Sequence, residues 1–235
     1  DLIIANGENI HTQNGLNLKQ YEQLKGIGVD VVTLGNHAWN QAQIYHFIDE
    51  NDDIVRPFNF PPATPGRGWT LTEANHRSVA VIVAMGNVYM STLTSPFQDI
   101  MQVVDDLHAQ GVKHIIVDMH AEATSEKLAM GYYLDGKVSA VLGTHTHVPT
   151  ADTTILPKGT AYQTDVGMVG PVESVLGMKV ENSINRFVTQ RRVKYQQSED
   201  EHFLFQAVLL ELDGDGKAVH IERIEERMTI ERTTV

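Results

Sequence analysis

Residues 140–152 read AVLGTHTHVPTAD, a run of small apolar residues that leads into two histidines, His145 and His147. A short apolar run bounded by polar or turn residues is typical of a buried strand. In an extended chain, side chains at positions i and i+2 point to the same side. The stretch therefore predicts a buried strand that delivers two imidazoles to one site, and other segments have to supply the remaining ligands.

Similar apolar runs occur along the front half of the chain, and each predicts a strand. These runs are residues 2–5, 29–34, 79–84, 114–117 and 138–142. Segments with helical spacing of apolar residues lie between them; one ends near Gly26 and Gly28, and another extends from Pro96 to Gly111. Strands that alternate with helices of this length indicate βαβ units and a largely parallel sheet.

The rear half is richer in strand patterns. Residues 153–165, TTILPKGTAYQTD, predict a hairpin around Pro157 and Gly159, and residues 203–226 predict two long strands joined by a Gly-Asp-Gly turn. No linker or repeat interrupts the sequence. We therefore expect residues 1–235 to form a single α/β domain with βαβ units in front and a β-rich rear.

Net charge and composition narrow the class of partner. The formal charge of −12 disfavours a protein that wraps long nucleic acid, because binding a phosphate backbone needs a basic face. The absence of cysteine restricts metal ligands to His, Asp, Glu and Asn. No apolar run approaches membrane-spanning length, so a membrane partner is not expected. Small phosphate substrates remain compatible, since bound metal ions can provide local positive charge.

Polar clusters come at the ends of several predicted strands. They read NGEN at 6–9, GNH at 35–37, DMHAE at 118–122 and GTHTH at 143–147. Ligands of open α/β sheets bind beyond the carboxyl ends of the strands, so these clusters should converge in space. The converging side chains are Glu8, Asn9, Asn36, His37, His120, His145 and His147.

This set of oxygen and nitrogen donors is too large for one tetrahedral zinc ion with its usual three protein ligands. It suits two ions that share a bridging carboxylate. Such ions lie about 3.5–4 Å apart and clamp the attacking and leaving oxygens of an in-line phosphoryl displacement. Phosphoester hydrolysis is therefore the predicted chemistry. Asp165 is a further candidate, either as the partner of a ligating imidazole or as a turn-stabilising residue.

The chain resembles the YmdB-like family of bacterial calcineurin-type metallophosphoesterases in the segments NGEN, TLGNHAWN, RPFNFPPATPG, residues 118–171 and LGM. The resemblance runs from the first residue to about Met178 and is weaker in the C-terminal strands. It implies a four-layered αββα fold with two divalent metal ions, iron or manganese, with zinc or magnesium as alternatives. It also implies cyclic-nucleotide phosphodiesterase activity, on 2′,3′-cyclic nucleotides and 3′,5′-cyclic AMP, in a cytoplasmic protein that forms homo-oligomers.

Carried over residue by residue, the resemblance implies a role for each candidate. Glu8 would bridge both ions. One ion would be completed by Asn9, Asn36, His120 and His145, and the other would be bound by His147. A hydroxide bridging the metals would attack phosphorus, and His37 would protonate the leaving oxygen as the general acid.

Two features depart from the family pattern. The wider superfamily often has an acidic residue directly after GNH, but that position is Ala38 here, so another group such as a backbone carbonyl has to orient His37. The family also begins with a strand whose terminal Asp binds the same ion as His147. That strand would lie ahead of Asp1, where we expect roughly thirty further residues, the size of one strand and helix. Without them, we expect the ion at His147 to be weakly held.

Two other functions are compatible with parts of the sequence. An HxH pair also occurs in barrel amidohydrolases, which act on C–N bonds, but there it usually follows the first strand and GNH has no counterpart. A regulatory scaffold that retains metals with little turnover is the second alternative, and the intact His37 argues against it. Turnover of bis-p-nitrophenyl phosphate with added Mn²⁺ would separate the three functions.

Overall fold

The computed structural model describes residues 1–11, 14–91 and 93–230. Its strands are β1 (Ile4–Asn6), β2 (Val31–Thr33), β3 (Ile54–Val55), β4 (Trp69–Ala74), β5 (Arg77–Met85), β6 (His114–His120), β7 (Ala140–Thr144), β8 (Thr154–Ile155), β9 (Ala161–Gln163), β10 (Gly170–Pro171), β11 (His202–Leu212) and β12 (Ala218–Thr229). Its helices are α1 (Leu18–Gly26), α2 (Pro96–Ala109), α3 (Thr124–Tyr133) and α4 (Val180–Thr189), with a 3-10 helix at Ala42–His46.

The strands form three sheets in the described parts of the chain. The first is parallel, in the order β1-β2-β3. The second has the order β4-β5-β6-β7-β9-β8 and is parallel except at its two outer pairs, β4–β5 and β8–β9. The third, β10-β11-β12, is antiparallel.

The alternation of side chains along β5 explains how the layers stack. Ala80, Ile82 and Ala84 lie in one core with residues of α2 and α3. Val81 and Val83 point the other way and pack against the first sheet. Because successive side chains of a strand point to opposite faces, a strand that is apolar on both faces has to lie in the middle of the molecule.

Two further contacts complete the layers. Tyr21 of α1 packs with Val32 of β2, so α1 covers the outer face of the first sheet. Leu210 of β11 and Ile221 of β12 pack against a core that contains Ile116 of β6, so the third sheet faces the second. The order of the layers is helix, sheet, sheet, helix, which is the expected αββα metallophosphoesterase sandwich.

Helices α1 and α2 begin and end near the residues that predict their ends. The Asn17 side chain accepts a hydrogen bond from the Gln20 backbone N–H and so caps α1. Pro96 starts α2, which buries Ile100 and Val104, and Gly111 follows its C-terminus with a φ of 83°. No helix of the described residues is long and apolar enough to cross a membrane.

The predicted strands and both predicted hairpins are confirmed, with shifted ends. The strand predicted at 114–117 continues to His120, because hydrogen-bonding partners satisfy its polar end. The strand predicted at 138–142 continues to Thr144 for the same reason. Sequence reasoning missed β3, β4, β10, α3 and α4. The ends of β1, β2, β6 and β7 meet at one edge of the sandwich, where the Thr33 hydroxyl donates to Asp118 at 2.6 Å.

Candidate metal centre

Four predicted ligands meet at this edge. Glu8, His120 and His145 each bring one ligand atom within 4.8 Å of the others. His120 Nε2 lies 3.2 Å from Glu8 Oε1 and 3.1 Å from His145 Nδ1. Asn36 Oδ1 lies 2.8 Å from the same nitrogen. The structure therefore brings together donors from segments that follow β1, β2, β6 and β7.

Gly35, in the GNH motif, allows the His120 ring to approach the chain after β2. A Cβ atom added at Gly35 would collide with the imidazole of His120. The glycine is needed here for this close approach, and its side-chain space is taken by the ring.

A chain of hydrogen bonds fixes the other ring nitrogen of His120. Thr144 Oγ1 donates to Asp118 Oδ1 at 2.6 Å, so the same hydroxyl oxygen accepts from His120 Nδ1–H, 2.9 Å away. Thr33 Oγ1 donates to the second carboxylate oxygen of Asp118 at 2.6 Å. The Nε2 atom, which offers its lone pair to a metal when the ring is neutral, is thereby directed at Glu8.

The Glu8 carboxylate fits a metal ion at this point. Its side chain is fully buried, and its Oε1 atom accepts no hydrogen bond from the described residues, although His120 Nε2 lies 3.2 Å away. Its Oε2 atom accepts from the backbone N–H of His37 at 3.2 Å. A buried carboxylate oxygen without a partner is costly, and a cation held between carboxylate, amide oxygen and imidazole nitrogens would remove that cost.

Electrostatics at the centre also favour a cation. Burial alone would raise the pKa of Glu8, but attraction by the His120 ring outweighs it and lowers the pKa to about 2. Burial acts to lower the pKa of His120, and attraction by Glu8 and Asp118 outweighs it, so this pKa is raised. A proton or a metal ion on His120 would balance the same carboxylates. Burial lowers the pKa values of His145 and His147, which favours neutral rings with lone pairs for a metal.

His145 and His147 lie in a turn that follows β7. Their φ angles are 96° and 63°, in the left-handed region, so the expectation of an extended i, i+2 pair is wrong. The positive φ angles turn the rings toward different partners. His145 Nδ1 faces His120, whereas His147 Nε2 lies 3.1 Å from Asn9 Nδ2.

Asp165 and Lys127 hold this turn. Asp165 Oδ2 accepts hydrogen bonds from the backbone N–H and the hydroxyl of Thr146, at 3.0 and 2.7 Å. Asp165 Oδ1 accepts from the Gly167 N–H at 2.9 Å, and Lys127 Nζ lies 2.8 Å from Oδ2 with both side chains fully buried. These hydrogen bonds of Asp165 go to the turn and to Lys127 rather than to an imidazole ring.

His37 lies beside the ligand cluster and is half-buried. Its Nε2 atom is 3.3 Å from Asn36 Nδ2, and its Nδ1 atom is 3.1 Å from Asn40 Nδ2. The Nε2 atom of the ring therefore faces the ligand cluster, and the Nδ1 atom faces Asn40. The ring is thus adjacent to the cluster but outside the Glu8–His120–His145 group.

Sequence reasoning missed several residues that support the centre. Asp118 lies two residues before His120 on the same strand, and this alternation was the available signal. Thr144 directly precedes His145, but a threonine at a strand end is too common to be informative. Glu122 is half-exposed, and its Oε2 atom lies 3.1 Å from His145 Nε2, the ring nitrogen opposite the one that faces His120.

Comparison with known proteins places this geometry in a family. The model of a family described as YmdB-like protein matches residues 1–224. A relative in Bacillus subtilis (strain 168), named 2′,3′-cyclic-nucleotide 2′-phosphodiesterase, is 48% identical over 224 residues, which cover 94% of this chain and 83% of the relative.

Solved structures agree with the sequence matches. A hypothetical protein from Thermus thermophilus has a TM-score of 0.91 and 43% identity, covering 97% of this chain and 88% of its own. A novel phosphatase from Mycoplasma pneumoniae has a TM-score of 0.89 and 36% identity, covering 99% and 84%. A 5′-nucleotidase precursor from Thermus thermophilus, at 12% identity and a TM-score of 0.54, shares the fold over 90% of this chain and 41% of its own. The chain therefore belongs to the YmdB-like protein family.

Proposed function

We propose that this protein is a dinuclear-metal phosphodiesterase that hydrolyses cyclic nucleotides, with 2′,3′-cyclic nucleotides and 3′,5′-cyclic AMP as its candidate substrates. The observation that carries the proposal is the convergence of Asn36 Oδ1, His120 Nε2 and His145 Nδ1 beside the unpartnered Oε1 of Glu8. The name of the Bacillus subtilis relative supports the choice of substrate.

The ligand set suits two divalent ions, and iron or manganese is our choice of metal. The residues that would hold them are Glu8, Asn9, Asn36, His120, His145 and His147. When bound, such ions neutralise phosphoryl oxygens and lower the pKa of a coordinated water. His147 Nε2 lies 3.1 Å from Asn9 Nδ2, so its ring is next to another proposed ligand, and we assign it to the second ion.

His37 is the proposed general acid. The leaving group of a cyclic nucleotide is a sugar hydroxyl, which is a poor leaving group unless it is protonated as the P–O bond breaks. The Nε2 atom of His37 faces Asn36 and so lies on the side where the substrate would bind. Protonated His37 would donate the Nε2 proton to the sugar oxygen and remain as a neutral imidazole.

The surrounding residues would keep this arrangement rigid. Thr144 and Asp118 fix the His120 ring through its Nδ1 atom. Lys127 and Asp165 fix the turn that carries the other two imidazoles. A preorganised site needs no rearrangement as charge develops on the transferring phosphoryl group, and this is a main source of rate enhancement. We further propose that the protein acts as a homo-oligomer.

The proposal is tested by measuring hydrolysis of 2′,3′-cyclic AMP, 3′,5′-cyclic AMP and bis-p-nitrophenyl phosphate by the Mn²⁺-loaded, Fe²⁺-loaded and chelator-treated protein. We expect turnover only with metal, and a metal content approaching two ions per chain. Metal binding without turnover of any phosphodiester would favour the scaffold instead. Turnover of amide substrates alone would favour C–N hydrolysis.

A further inference from the structure

We propose that Asn40 is the positioning residue for His37, an inference that rests on the proposed phosphodiesterase function. The Asn40 amide nitrogen lies 3.1 Å from Nδ1 of the His37 ring. Asn40 can therefore orient the His37 ring. Ala38, which directly follows the GNH motif, cannot do so because its side chain has no polar group. Because the partner of one ring nitrogen sets which nitrogen carries the proton and how the ring is oriented, this contact bears directly on the acid.

The backbone of His37 is already fixed on two sides. Its N–H donates to Glu8 Oε2 at 3.2 Å, and its carbonyl accepts from the Asn40 N–H at 3.0 Å. The remaining freedom is rotation of the ring about its side-chain torsions. A partner at Nδ1 restricts that rotation and holds Nε2 on the side of Asn36, the residue whose Oδ1 atom faces the ligand cluster.

The turn that carries Asn40 is held by packing, although Asn40 itself is exposed. Ala38 is fully buried. The Trp39 ring stacks on Tyr45, with centroids 5.3 Å apart and planes at 7°, and meets the edge of Phe60 at 5.7 Å. The Asn40 amide thus extends from a fixed backbone, which keeps it within reach of the His37 ring.

An amide is suited to a ring that changes its protonation state. The NH₂ group of Asn40 faces Nδ1 in this structure, and half a turn about χ2 would present the amide oxygen as an acceptor instead. In the reaction, the Nε2–H bond of the imidazolium breaks and the proton goes to the sugar oxygen as the P–O bond breaks. With its oxygen turned toward the ring, Asn40 would accept from the Nδ1–H that the imidazole retains before and after this transfer.

The inference is tested with Asn40→Ala, Asn40→Asp and the double variant His37→Ala/Asn40→Ala in the metal-loaded protein. Asn40→Ala should lower kcat/KM for 2′,3′-cyclic AMP by about 10- to 100-fold, but that for bis-p-nitrophenyl phosphate by less than about threefold, because p-nitrophenolate hardly needs a proton. Asn40→Asp keeps an oxygen acceptor near Nδ1 and should recover most of the loss. Adding Asn40→Ala to His37→Ala should cause no further loss.

Gln43→Ala is the matched control, since Gln43 lies in the same turn region but bonds to the Leu18 N–H. It should leave both activities unchanged, and all variants should retain their metal. An equal loss on both substrates, or losses that multiply in the double variant, would overturn the inference. If the unaltered protein hydrolyses neither substrate, the proposed function fails. The ring ¹H–¹⁵N spectrum of His37 then still tests positioning, because an unchanged spectrum in Asn40→Ala overturns it.

Discussion

His120 and His37 flank Asn36 on two sides, yet the protein holds their rings by different means. The His120 ring is buried at a strand end, and its Nδ1 atom is held through Thr144 by Asp118, which also accepts a hydrogen bond from Thr33 of the first sheet. The His37 ring is half-buried in a turn, and its Nδ1 atom contacts an exposed amide in the same turn. The ligand thus depends on the packing of the whole sandwich, whereas the acid depends on a local segment.

This difference predicts that substitution of Glu8 or His120 removes the metal. Glu8→Gln and His120→Ala should each lower turnover by about 10³-fold or more, because the charge or nitrogen that binds the ion is lost. Elemental analysis should show a matching loss of metal. An equal loss of metal in His37→Ala would contradict the distinction between His120 as a ligand and His37 as the acid.

The turn that carries His145 and His147 resembles the His120 site, since the buried Lys127–Asp165 pair holds it. Lys127→Met should lower the free energy of unfolding by about 3–5 kcal/mol, because the buried Asp165 carboxylate loses its cation. Urea unfolding measures this change. Lys113→Met is the control: the Lys113–Asp215 pair is exposed, and its loss should be undetectable. A small effect of Lys127→Met would show that hydrogen bonds alone satisfy Asp165.

On the His37 side, the expected loss is confined to chemistry. His37→Ala should lower kcat for 2′,3′-cyclic AMP by about 10²-fold or more, with a smaller loss on bis-p-nitrophenyl phosphate. Metal content should stay nearly unchanged, because His37 is not among the proposed ligands. An equal loss on both substrates would mean that His37 does not act as an acid.

The smallest expected effect is that of Thr144→Val, which tests how the His120 ring is oriented. Thr144→Val removes the hydroxyl between His120 and Asp118 at little change in volume. The ring then loses its Nδ1 partner, and metal affinity should fall by about 10-fold or more, as is usual for residues that orient a ligating histidine. Titration with Mn²⁺ followed by calorimetry measures the affinity. An unchanged affinity would show that packing alone orients the ring.

Much of the fold follows from local patterns, since five apolar runs and two turn signals predicted most of the central strands. The strand β4, WTLTEA, escaped detection because it lies at a sheet edge and its threonines and glutamate interrupt any apolar run. Helix α3 was missed because a fully buried lysine interrupts its apolar face. That residue, Lys127, is paired with Asp165, which is far away in sequence, so its burial depends on the tertiary fold.

The candidate site was predictable as a set of residues, because polar clusters at parallel strand ends have to converge. Its detailed geometry was not. The left-handed backbone at His145 and His147 is stabilised by Asp165 through Thr146, and no local pattern indicates that contact. The contact between Asn40 and His37 likewise depends on how the turn packs around Trp39.

The Asp118 carboxylate accepts hydrogen bonds from Asn6 and Thr33 of the first sheet and from Thr144 of the second. It therefore links the two sheets through hydrogen bonds, and His120 is connected to it through the Thr144 hydroxyl. A metal ion that binds only the folded protein adds its binding free energy to the stability of everything it holds. Removing the ion should accordingly destabilise the contact between the first and second sheets. Amide hydrogen exchange in β2 and β7 should then accelerate before exchange in β11 and β12.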